Sequence, residues 1–310
     1  MTRTTPFRTT LGAAALSLTA TTGMAQMTQD DIREGYLEHA AMAQFHRWYQ
    51  VYERPEGGID NALDILAQDV TVVSGLGTAN GHEEYAARVQ QLPDTWRNAH
   101  VPHEARVGVA DDGTMTLEAD ITYLNQGLMP DGAVREADLT YDIALVPDPD
   151  GALLPKLSRV EIGQNSEGVA ETFTDAYARN RMLSLVHYWL ALIEDPKRDP
   201  EPVREILADG FSLDFSSGAI TDFDGFKAWL AGPGSQVAAS THVIDNFAVE
   251  ETGEETYAVT VDFDWTGILP DGNEMVAKTR HNWTVANDVT ERFARIETIS
   301  VEVLEPFRPK

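Results

Sequence analysis

His242, in the run Thr241-His242-Val243-Ile244-Asp245-Asn246, is the side chain best suited to chemistry. An imidazole exchanges its proton close to neutral pH, so it can act as a general acid or base unaided. Asn246 lies four residues on, which in an extended strand is the same face, and its amide could hydrogen-bond a carbonyl or enolate oxygen. His281 is the second candidate, because Thr279, His281, Trp283 and Val285 alternate onto one face of a strand-like run. Trp265 and Trp283 could supply flat walls for an aromatic or cyclic ligand. Each has a plainer use as well: a pocket-wall or rim histidine held by backbone, or a tryptophan packed in a core.

Other chemistries are excluded or poorly supported. The 310 residues include no cysteine, which removes disulfides, thiolate nucleophiles and cysteine-ligated metals. His100-x-x-His103 is a single short pair without an evident third ligand, and a strand would separate its two faces, so no metal site is expected. No nucleophile elbow, Walker loop or dinucleotide fingerprint occurs, and no cofactor is expected. Fifty acidic against 23 basic side chains give a net charge of -27, which repels phosphate backbones and anionic lipid surfaces. Nucleic acid is therefore a poor partner, and a small-molecule ligand the better one. With 43% hydrophobic and 24% charged residues the composition is that of a globular protein with a sizeable core.

The elements that must position these residues occur twice. Phe45-His46-Arg47-Trp48 recurs as Val186-His187-Tyr188-Trp189, and Ile65-Leu66-Ala67-Gln68-Asp69-Val70 as Ile206-Leu207-Ala208-Asp209-Gly210-Phe211. Ala99-His100-Val101 recurs as Thr241-His242-Val243, and Gly127-Leu128-Met129-Pro130-Asp131-Gly132 as Gly267-Ile268-Leu269-Pro270-Asp271-Gly272. Four ordered matches at nearly one shift predict a duplication, with domains over 26–166 and 167–310. In each half apolar residues at spacings of three and four predict a long amphipathic helix, from Asp31 to Glu53 and from Thr172 to Asp195. Short helical stretches follow, then strand-like runs with hairpin-length turns, as in Thr241–Glu250, 255–267, 274–286 and 292–303. Helix followed by antiparallel meander is an α+β class. His46 and His187 sit beside the buried helix stripe in both halves, which suits packing better than ligation.

Before the first repeat, Arg3 and Arg8 precede an apolar run from Leu11 to Ala20 that closes on Gly23-Met24-Ala25. This reads as a secretory signal over residues 1–25, with a mature chain from Gln26 in the periplasm or outside the cell. The run is too short, and too rich in Ala and Thr, for a good membrane span.

The long helix, the short helix opening at Gly81-His82-Glu83-Glu84-Tyr85 or Asp222-Phe223-Asp224-Gly225-Phe226, and the Thr241-His242-x-x-x-Asn246 strand resemble the nuclear transport factor 2-like superfamily. Within it the resemblance is to the SnoaL-like branch, with polyketide cyclases and scytalone dehydratase as relatives. It implies two tandem cones, each a curved antiparallel sheet around its long helix with an apolar pocket at the open end. It also implies that His242 faces that pocket and that an acid near the end of the long helix lies beside it. Glu194-Asp195 occupies that region, and Asp195 is taken as the orienting acid. The first half has His100 at the place of His242 and Tyr141 at that of His281, with Tyr123 matched to Phe263 as core or wall. It has Arg54 for the acid and Glu104 for the amide, so the second half is expected to hold the working site. Two functions compete. One is a cofactor-free lyase, dehydratase or isomerase using histidine acid/base chemistry. The other is a ligand carrier or an assembly module, whose sheet faces pair halves or chains as a homo-oligomer would.

Overall fold

The computed structural model describes residues 27–310, so the signal read over residues 1–25 lies outside the described residues. Helix α1 (Gln29–Arg47) opens on a reciprocal cap. Thr28 Oγ1 accepts from Asp31 N–H while the Asp31 carboxylate accepts from Thr28 N–H. The single long helix expected here is broken by a turn at Trp48-Tyr49 and resumes as α2 (Gln50–Glu53). After α3 (Asp60–Asp64) come β1 (Leu66–Ser74), β2 (Gly77–Asn80) and α4 (Gly81–Val89). A meander then follows: β3 (Arg97–Val109), β4 (Met115–Gln126), β5 (Val134–Val146) and β6 (Lys156–Gln164).

The second half repeats the plan as α5 (Tyr177–Glu194), β8 (Leu207–Phe215), β9 (Gly218–Ile220), α6 (Phe223–Ala231), β10 (Ala239–Gly253), β11 (Thr256–Ile268), β12 (Glu274–Ala286) and β13 (Arg295–Pro309). Strand order is β2-β1-β6-β5-β4-β3 in one sheet and, run the other way, β10-β11-β12-β13-β8-β9 in the other. The two orders are equivalent, so the repeat in sequence is a repeat in topology. Each sheet is antiparallel except for one parallel pair, β1 with β6 and β8 with β13, which lays the strand after the long helix against the last strand of the meander. A three-residue strand, β7 (Gly168–Ala170), pairs with β5, so the first sheet runs past the expected seam at residue 167. Val134 to Glu136 at the start of β5 offer backbone groups that this segment satisfies.

Each half has its own apolar core around its helix face, and the two halves meet along α1 and α5, which pack antiparallel. Ser184 Oγ donates to Ala43 C=O at 3.0 Å near the midpoint of this contact. At one end Gly35 lies so close to β10 that a Cβ there would meet Thr241 Oγ1 at 2.3 Å. At the other, Asn180 of α5 reaches Glu53 and the backbone of His100. The contact is polar for an interior one. Arg181 is buried and donates to Gln50, Asn287 and three backbone carbonyls of 288–292, while Arg47 and Arg292 share Asp64.

Candidate active site

α5 ends at Glu194 because Pro196 follows, and a residue before proline is driven out of the helical region. That places the Glu194 carboxylate, with its side chain only 1% exposed, under the start of β10. His242 Nδ1 lies 2.7 Å from Glu194 Oε1. Phe263 fits edge-on between the two histidines of the site, with ring centroids 5.4 Å from His242 and 4.8 Å from His281. Both histidines line one cavity of about 430 Å³, walled by residues such as Trp189, Phe215, Trp229 and Trp265. Among the described residues none that lines it is Lys, Arg, Asp or Glu. Thr279 and His281 line it too, and Thr279 Oγ1 and His281 Nδ1 are buried there without a hydrogen-bond partner among the described residues.

Burial sets the charge of this site. Desolvation pushes the Glu194 carboxyl up, against the nearby His39, the His242 backbone N–H and the Thr241 hydroxyl, and pushes the His242 imidazolium down. Both shifts favour an uncharged pair that shares one proton. Desolvation lowers His281 to about 3, helped by His242, so its ring is neutral at any ordinary pH. The pocket therefore offers a neutral acid/base pair, a second neutral imidazole and apolar walls.

The sequence-based site residues fall into two groups. His242, His281 and Trp265 come together at the cavity. Asp195 does not: it leaves the helix with φ -55 and ψ 122, and its Oδ1 caps Lys197 N–H at 2.9 Å, so Glu194 is the acid that meets His242. Asn246 does not either. A bulge in β10 between Ile244 and Asn246 shifts the face parity, so Phe247 packs on the core while Asn246 points out and donates to Asp262 at 2.9 Å. Trp283 is core, 2% exposed and edge-on to Trp189. Tyr141 is core in the first half, edge-on to Tyr49. Tyr123 pairs across the sheet with His100 as Trp265 pairs with His242, so its counterpart is Trp265 and not Phe263. It donates to Asn98 at 2.7 Å.

The first half carries the same pair in closed form. Glu53 Oε1 accepts from His100 N–H at 2.8 Å and lies 3.2 Å from His100 Nδ1. Tyr49 stacks on the His100 ring at 4.7 Å, with Tyr123 at 5.1 Å and Tyr52 at 5.8 Å. Glu53 was passed over for Arg54 in the sequence, although its place 141 residues before Glu194 marks it. His103 turns to Thr122 Oγ1 on the outer face, away from His100. Among the described residues no group of three or more His, Asp or Glu could hold a metal, and no helix is long and apolar enough to cross a membrane.

No protein-family model and no curated protein matches the sequence. Solved structures do. They include a candidate aromatic ring hydroxylase from Novosphingobium aromaticivorans, at 14% identity and TM-score 0.40, covering 44% of this chain and 96% of that one. A type 3 hexachlorocyclohexane dehydrochlorinase (LinA) from Novosphingobium barchaimii matches at 12% and 0.38, over 43% and 89%. A nuclear transport factor 2-like superfamily protein from Salmonella enterica serovar Typhimurium matches at 15% and 0.37, over 41% and 92%. Each match covers less than half of this chain. Each half of this chain has the long helix and curled sheet that the sequence resemblance implies, and the chain has two of them.

Proposed function

We propose that the second half binds a small, neutral, apolar or aromatic compound and moves a proton on it, as a cofactor-free lyase, dehydratase or isomerase. The observation that carries this is the His242–Glu194 pair at the wall of an apolar cavity that, among the described residues, no Lys, Arg, Asp or Glu lines. An anionic substrate would find no cation there to offset its desolvation, so a neutral one is favoured. In an elimination, His242 Nε2 would take a proton from the carbon beside a carbonyl. The electron pair would form the double bond as the carbon–oxygen bond to the leaving hydroxyl breaks, and the proton would return to that oxygen as water leaves. His281 and Thr279, which lack partners among the described residues, are placed to hydrogen-bond the carbonyl. Export through the leader would put this chemistry in the periplasm or outside the cell. The first half, its cone filled by tyrosines, serves as scaffold.

The test is incubation of the purified chain with a metabolite extract and with a panel of neutral cyclic hydroxy-ketones and their carboxylate analogues, with conversion followed by mass spectrometry. Conversion of a neutral compound that His242→Ala abolishes supports the proposal. Retention of a compound without conversion, unchanged in His242→Gln, would make the protein a carrier instead.

A further inference from the structure

The site of the second half borrows a residue from the first. His39 belongs to α1 and lies one turn beyond Gly35, the position where the helix touches β10. Its Nε2 faces Glu194 Oε2 across 3.7 Å, and its Nδ1 lies 3.0 Å from His187 Nδ1. Two atoms of this group, His39 Nε2 and Glu194 Oε2, are buried without a hydrogen-bond partner among the described residues, and they are the two that face each other. A buried donor or acceptor left unpaired is costly, and a proton on Glu194 Oε2 would satisfy both atoms after a small rotation.

We propose that His39 is a positioning residue for the proton-transfer site: it accepts the Glu194 proton from Oε2, leaving Oε1 to accept from His242 Nδ1–H, so that His242 presents a bare Nε2 to the cavity. The proposal rests on the function proposed above. Its hydrogen-bond polarity is consistent along the chain. His39 with a free Nε2 carries its proton on Nδ1 and donates to His187 Nδ1, and His187 then carries its own proton on Nε2. Without an acceptor at Oε2 the proton moves to Oε1, donates to His242 Nδ1, and forces the ring into the Nε2–H form, which cannot take a proton from substrate. Burial favours a protonated Glu194 and neutral His39 and His187, as this arrangement needs. The other groups facing Glu194 are Thr241 and Glu38, and His39 also faces the backbone carbonyl of His242, to which an Nε2–H tautomer would donate instead. The residue that matches His39 is Asn180 of α5, which donates to both Glu53 oxygens of the first-half pair at 3.1 and 3.3 Å, and there rings cover His100.

The experiment needs no substrate, so its failure is distinct from failure of the function, which is read by conversion in His242→Ala. Histidine-¹⁵N-labelled protein at pH 7 is examined by long-range ¹H–¹⁵N correlation, which reports the nitrogen that carries each ring proton. The expected wild-type result is Nδ1–H for His242 and His39 and Nε2–H for His187. His39 found with its proton on Nε2 would overturn the proposal whether or not any variant folds. In His39→Leu the His242 ring should turn over to Nε2–H, a change in tautomer ratio of at least tenfold, and His39→Asn, whose amide oxygen can accept the Oε2 proton, should restore Nδ1–H. An unchanged His242 tautomer in a folded His39→Leu would sink it, as would a His39→Asn that behaves like His39→Leu.

Discussion

In the first half Tyr49 and Tyr52 lie over the histidine of the Glu53–His100 pair; at the matching places over the Glu194–His242 pair stand Leu190 and Ile193. Tyr52 also bonds Tyr85 through their hydroxyls at 2.9 Å, where the second half has Phe226, whose ring has no polar tip to tie down. Of Leu190 and Ile193, Ile193 lines the 430 Å³ cavity beside His242, so its smaller side chain leaves open space there that a ring would take up. The same dyad on the same fold is thus sealed by rings in one half and open to a cavity in the other. Chemistry lives in what surrounds the pair more than in the pair itself.

The largest expected effect breaks this comparison if it fails. His242→Ala should lower turnover by roughly 10² to 10⁴, the usual range for loss of a general acid or base, with little loss of folding. His100→Ala should leave turnover within about threefold and cost stability instead, since it empties a stacked, hydrogen-bonded site. Equal losses of turnover would mean that both dyads work. The next effect sharpens it. Ile193→Tyr, which gives the second half the ring its partner has at Tyr52, should fill the cavity and weaken binding of a neutral aromatic probe at least tenfold, as read by titration calorimetry. Unchanged affinity would place the ligand elsewhere.

A third prediction concerns the seam between the halves, where His39, His46 and His187 are buried with their imidazoles held neutral. Burial lowers His46 from 6.5 to about 4 and lowers His187 well below its ordinary value, with desolvation the leading cause in both. The unfolded chain takes up these protons below pH 6.5 while the folded chain refuses them until about pH 4, so stability is complete above 6.5 and is lost as pH falls. For His46 alone the loss amounts to about 3 kcal/mol by pH 4. Urea unfolding across pH 4 to 7 should show midpoints falling with pH, less steeply in His187→Asn. A flat profile would mean that these rings are solvated.

Much of this was legible in the sequence, and the failures have one cause. The duplication and the meander follow from residue spacing, because spacing is a local property of the chain, whereas His242 at a pocket follows only from the family resemblance. Spacing puts the acid one residue too late, since helical periodicity does not say at which residue before Pro196 the chain leaves the helix, and that choice turns Glu194 to His242 and Asp195 to Lys197 N–H. Asn246 was placed by strict alternation, and a single bulge reversed it. His39 was never considered, because nothing local to α1 says that a helix of one half will lie on a strand of the other. Gly35 was a faint mark of that approach: a glycine inside a helix costs about 1 kcal/mol and needs a reason.

The smallest effects expected are at the two misassigned residues, and they discriminate most finely between spacing and structure. Asp195→Asn and Asn246→Ala should each leave turnover within about twofold and stability within about 1 kcal/mol, because neither touches the cavity: Asp195, though buried, caps Lys197 N–H through an oxygen that an amide keeps, and Asn246 is exposed. Asp262, which Asn246 supports, keeps its two bonds from Arg280 at 2.7 and 2.8 Å, so loss of the amide removes one of three donors and strands no buried charge. Glu194→Gln is the contrast. An amide oxygen can still accept from His242 Nδ1–H, but an amide cannot ionise to steady the imidazolium that forms when His242 takes up a substrate proton, so turnover should fall by about 10- to 100-fold with the fold retained. If Asp195→Asn costs more turnover than Glu194→Gln, the carboxylate that serves His242 is the outer one, and the closed pair of the first half has no counterpart in the second.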